Sequence, residues 1–161
     1  MMIKQKCARI LHNKKGQALI ETALSIFILF LLVFGIVEFG RAMFVKNMLN
    51  NAARAGARTA VVTPPTGSGN PPKWGASDIS TITNSVNNAV YYTKAPEQVN
   101  VTILIRTPPS TTDTTVTANT VHPSSGDIVT VQTQLTNFVS IVPKLIPISA
   151  TLTGTASMRY E

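Results

Sequence analysis

One cysteine, two histidines and seven acidic residues are all that 161 residues offer for metal or acid–base chemistry. Cys7 has no second cysteine with which to close a disulfide. His12 lies near the start of the chain and His122 in a loop, and no two of the acids, Glu21, Glu38, Asp78, Glu97, Asp113, Asp127 and Glu161, fall within a helical turn of each other. A metal centre needs several ligands at suitable spacing, and an activated nucleophile needs a base with an orienting group. The glycines of Gly67-Ser68-Gly69 come without the lysine or the strand-to-helix setting of a phosphate loop. The expectation is therefore no catalytic residues, no metal ligands, no cofactor and no small-molecule substrate: a protein that is not an enzyme.

Charge is also scarce, at 13% of residues, yet its balance is +7. Five of the fourteen cations (Lys4, Lys6, Arg9, Lys14 and Lys15) sit in the first sixteen residues, where there is no acid, and the other nine face all seven acids. No basic stripe with interleaved aromatics remains, so a nucleic-acid partner is not expected. A basic stretch directly before an apolar run is an orientation signal instead.

Proline is absent until Pro64. From Gln17 to Val37 the only ionisable side chain is Glu21, and a helix of that length spans about 32 Å, enough to cross a bilayer. Lys14 and Lys15 before the run hold the N-terminus in the cytoplasm and send the rest of the chain outside. A cleaved secretory signal shares the basic start and apolar core. Against it, the run is long, and Val37-Glu38-Phe39-Gly40-Arg41 offers no small-x-small cleavage site.

Beyond the apolar run, Ala, Leu, Met, Arg and Lys carry the helix to about residue 61. Ala42, Val45, Leu49, Ala52, Ala53, Gly56 and Ala60 share one side, with Lys46, Asn47, Asn50, Asn51, Arg54 and Arg58 opposite. Residues 62–76, rich in Pro and Gly, break regular structure and form a linker. Ile79, Ile82, Val86 and Val90 then recur at helical spacing behind Ser77 and Asp78, predicting a second helix over about 78–92.

Three segments alternate at the strand period: Val99 to Ile105, Val129 to Leu135, and Ile148 to Met158. Turn-forming Pro, Ser and Gly stretches separate them. One buried face per strand predicts a small antiparallel sheet packed against the two helices, an α+β domain over 77–161.

Glu21 is the conspicuous residue, because a carboxylate within a membrane span costs several kcal/mol unless it is paired, neutralised or near the surface. Lys14-Lys15-Gly16-Gln17-Ala18-Leu19-Ile20-Glu21 resembles the processing site of type IV pilin precursors, which a membrane peptidase cuts after the glycine. The resemblance implies removal of a basic leader, residues 1–16, by cleavage between Gly16 and Gln17. It leaves a mature helix over 17–61, of which 17–37 crosses the membrane and 38–61 is amphipathic. Cleavage would place a cationic amine on Gln17, a counter-charge for Glu21 of a neighbouring subunit that offsets burial and sets axial register. The sequence departs from the pattern at Thr22, where such proteins often carry an aromatic residue.

Phe34-Gly35-Ile36-Val37-Glu38-Phe39-Gly40-Arg41 and Asn51-Ala52-Ala53-Arg54-Ala55-Gly56-Ala57-Arg58 narrow this further. They look like the TadE-like family of minor pilins and pseudopilins from tight-adherence (Flp-type IV) pilus systems. Gly126-Asp127-Ile128-Val129-Thr130-Val131 and the closing Ala156-Ser157-Met158-Arg159-Tyr160-Glu161 are also similar to that family's strands. The resemblance implies a pilin-like fold and an inner-membrane, single-pass subunit that supports pilus assembly and surface attachment. Its implied partners are a prepilin peptidase, other pilins and the assembly platform. The alternative is a bitopic membrane protein whose outer domain binds or adheres without entering a filament. Glu38 and Arg41, three residues apart, share a helix face just beyond the apolar run.

Overall fold

The computed structural model describes residues 14–90, 99–139 and 149–161. Lys4, Lys6, Cys7, Arg9 and His12 lie outside the described residues, as do Tyr91 and Tyr92 at the expected end of the second helix. The chain divides into two compact units, residues 1–41 and Ala42–Glu161.

Helix α1 (Lys14–Val62) enters both units and is unbroken for 49 residues. It stops where Thr63 precedes Pro64, whose ring disfavours the helical conformation of the residue before it. Thr63 closes the last turn twice, donating its N–H and its hydroxyl to the Thr59 carbonyl at 2.9 and 2.7 Å. In the first unit, Leu24, Ile26, Phe27, Ile28, Leu29, Leu32 and Phe34 are all exposed, on every side of the helix. The most apolar 18-residue window has a mean hydropathy of 2.6 and buries none of itself in the protein. A helix apolar all round belongs in a buried or lipid environment.

The second unit is an α+β domain. Helix α2 (Ala76–Ala89) presents Ile82 and Val86 inward, both without solvent exposure. The strands are β1 (Val99–Arg106), β2 (Thr114–Thr115), β3 (Ile128–Val139) and β4 (Ser149–Arg159), in the order β2-β1-β3-β4 with every neighbour antiparallel. β1 pairs β3 from Val99↔Leu135 to Arg106↔Ile128, and β3 pairs β4 from Ile128↔Arg159 onward. A register shift between Leu135 and Phe138 restores the inward face after the bulge, so both side chains are buried. The two-residue strand β2 was not expected from the sequence; Thr114-Thr115 has no alternating apolar pattern to announce it.

The sheet's inner face, including Val99, Ile103, Ile105, Val129, Val131 and Leu135, packs with both helices in one core. From α1 it takes Met48, Leu49, Ala52, Ala57 and Ala60. The small side chains bring helix and sheet close, and two glycines mark the nearest approaches. A Cβ on Gly154 of β4 would stand 2.5 Å from the Leu49 carbonyl carbon and 2.6 Å from the Asn50 nitrogen. A Cβ on Gly56 would collide with Val86 and lie 3.1 Å from Val131. Thr133 occupies a core-facing position because its hydroxyl has somewhere to go: the carbonyls of Leu49 and Gly154 lie at 3.1 and 3.2 Å.

Residues 63–75 contain no regular element but are tied down. Trp74, fully buried, donates its indole N–H to Thr63 O at 3.2 Å and meets Tyr160 edge-on, ring centroids 6.1 Å apart. Its backbone bonds to Val121 and Asn119. Asp78, 4% exposed, accepts from the Thr66 hydroxyl (2.6 Å), the Thr66 N–H (2.8 Å) and the Gly75 N–H (2.9 Å). The N-cap is Gly75 rather than the expected Ser77 or Asp78; Asp78, in the first turn, reaches back to the Gly75 N–H and also clamps the linker. Burial pushes this carboxyl up, but the Thr66 hydroxyl, the Thr66 and Gly75 amides and the Ser77 hydroxyl outweigh it and hold the pKa below the ordinary 3.8.

Candidate processing and assembly site

The residues singled out in the sequence all lie at the start of α1. Lys14 and Lys15 open the helix, Gly16 and Gln17 follow in its first turn, and Glu21 stands one turn beyond Gln17. Gln17 and Glu21 are exposed, four residues apart and therefore on one face. Among the described residues, no group makes a hydrogen bond or ion pair with Glu21. The peptide bond between Gly16 and Gln17 is helical, so a protease needs that turn to open first. Glycine makes opening easier, because it weakens a helix by about 1 kcal/mol relative to alanine. No other side chain crowds Gly16, since nothing lies within 4 Å of where its Cβ would be.

Near the far end of the apolar run, Arg41 Nη2 donates to Glu38 Oε1 at 3.0 Å, so the pair expected from their spacing forms. His122 is in a loop, as read, with Nδ1 donating to the Pro72 carbonyl at 2.6 Å. No group of three or more His, Cys, Asp or Glu converges among the described residues. A shallow cleft of about 350 Å3 runs between α2 and the segment after β2, lined by Ile79, Ser80, Thr83, Val116 and Thr117. No acid or base lines it.

What sequence reasoning missed lies in the second unit. Trp74 gave no periodic signal inside the linker, although a lone tryptophan at the end of a proline- and glycine-rich stretch was the available clue. Gly154 sat unremarked in an alternating strand, where an isolated glycine marks a close backbone approach.

Taken together, these features define, among the described residues, one helix long and apolar enough for a single membrane pass, continuing into an α+β domain. Residues 16–58 match the model of the TadE-like protein family, the family that the sequence resembles. The match takes in Gly16, Gln17, Glu21, the Glu38–Arg41 pair and the buried Ala52, Ala53 and Ala57 of α1. No curated protein and no solved structure matches.

Proposed function

We propose that this protein is a minor pilin or pseudopilin subunit: made in the cytoplasmic membrane with its N-terminus inside, trimmed between Gly16 and Gln17, and used in assembling a tight-adherence pilus that supports surface attachment. The observation that carries this reading is the TadE-like match over residues 16–58 with Gly16 and Glu21 inside it. On this reading the chain has a structural rather than an enzymatic role, and its partners are a prepilin peptidase, other pilins and the assembly platform. Lys14 and Lys15 set the orientation, and the α+β domain lies outside the cytoplasm. The Gln17 amine released by cleavage meets Glu21 of an adjoining subunit as helices leave lipid.

The N-terminal residue of protein recovered from membranes of its own host tests the proposal. A start at Gln17 is expected, and replacing Gly16 by a bulky residue should leave the precursor uncut. A start at Met1 or Met2 with a normal membrane location would instead establish a bitopic protein outside any filament. A start beyond Val37 would make the apolar run a secretory signal.

A further inference from the structure

In the second unit, α1 buries Leu49, Ala52, Ala53, Ala57 and Ala60 against its own domain and turns a different surface outward. Asn47, Asn51, Arg54 and Arg58 are all exposed. At about 100° per residue they fall within an arc of roughly 60°, and their spacing of four, three and four is that of a helix-pairing seam. Val62 continues the line and is 80% exposed.

The seam carries charge of one sign. No acid occurs anywhere between Glu38 and Asp78. Among the described residues neither Arg54 nor Arg58 has an acidic partner, and four residues apart on one face they repel each other. A solvated helix surface ordinarily mixes signs and gains from the pairs. Here no acid among the described residues supplies the complement.

We propose that this face of α1 is a docking seam for a helix of a different subunit that presents acidic residues three or four positions apart. A second copy of this chain does not fit, because none of its seven acids lies within four positions of another. An acidic helix laid along the seam places its carboxylates against Arg54 and Arg58, whose planar guanidinium groups take a carboxylate in two parallel bonds. Asn47 and Asn51 supply neutral donors and acceptors that fix register at lower affinity. The inference rests on the filament-subunit reading only for the kind of partner, a neighbouring membrane subunit.

The test uses the full-length chain in its own host, with a photo-crosslinking amino acid at Asn51. The expected result is an adduct to another membrane subunit through a helical peptide carrying Asp or Glu at such spacing. Arg54→Glu with Arg58→Glu should cut the adduct ~10-fold or more, and reversing the partner's acids to Lys should restore it. Arg54→Lys with Arg58→Lys should retain most of it, and the thermal midpoint of every variant should be unchanged because the residues are exposed. An adduct to lipid, to a second copy, to a peptide without paired acids, or one indifferent to charge reversal would overturn the seam. A mature start at Met1 or Met2 together with a charge-dependent adduct would overturn the pilin reading and leave the seam standing.

Discussion

The two stretches of α1 obey opposite rules although no break separates them. From Leu19 to Val37 the helix exposes apolar side chains on all sides; from Ala42 onward one side, with Leu49, Ala52, Ala53, Ala57 and Ala60, is buried in a folded core. The difference shows that helix formation and helix burial are separable decisions in the sequence. Alanine, leucine and the absence of proline make the helix throughout, whereas side-chain size and polarity choose its environment turn by turn. Phe and Leu face outward in the first stretch, where lipid can receive them. Alanines face inward in the second, where a sheet approaches to backbone contact.

The largest disturbance confined to the second region should come from Trp74→Ala. Removing a fully buried indole that joins the linker to Tyr160 should destabilise the domain by about 3–5 kcal/mol, read as a drop in the thermal midpoint of the detergent-solubilised protein with membrane insertion intact. Loss of insertion as well would mean that the two regions are not independent.

Gly154→Val comes next. Its new atoms meet the main chain of Leu49 and Asn50 rather than a movable side chain, so the cost should reach about 3 kcal/mol, the upper end for overpacking. A denaturation midpoint unchanged from the wild type would show that α1 and β4 do not touch where they are placed.

Asp78→Asn should be milder, about 1.5–3 kcal/mol, since it weakens bonds made to a charged acceptor. The pH dependence has a definite sign. Because the folded pKa lies below the ordinary value of 3.8, the stabilisation is fully present above that value and fades as pH falls through the folded pKa. Wild type should lose stability relative to Asp78→Asn on acidification below about pH 4; parallel curves would deny the clamp its charge.

The smallest effect on folding should be that of Glu21→Ala, within about 0.5 kcal/mol for the second region, while co-purification with other pilins and pilus number fall. Glu21→Asp should be intermediate in assembly, its shorter side chain keeping the charge but reaching less far. Normal pili with normal amounts of the Glu21→Ala subunit would reduce this carboxylate to a solvated charge at the membrane edge.

Much of this organisation was legible because it is written in period and composition. The apolar run, the amphipathic continuation and the strands beginning at Val99, Val129 and Ile148 each show a repeat that a single segment suffices to reveal. The second helix starts two residues before the expected 78 and ends at Ala89, with Val90 already out of the helix, short of the expected 92. What stayed hidden depends on pairs distant in sequence: Trp74 against Tyr160, Thr133 under the Leu49 carbonyl, Gly154 against the helix backbone. No local pattern encodes a partner about 85 positions away. At the candidate site, Gly16 and Glu21 could be picked out because a glycine after lysines and a carboxylate in an apolar helix each break a strong local trend.

The close seating of α1 on β4 also bears on mechanics. A pull entering the domain at Ala42 along the helix is resisted by Leu49, Ala52, Ala53, Ala57 and Ala60 together, and by the Thr133 hydroxyl held at the Leu49 carbonyl. These contacts are loaded in parallel rather than peeled in succession. The helix therefore works as a tendon embedded along its length, and the domain yields to tension only when a whole row of contacts slips at once.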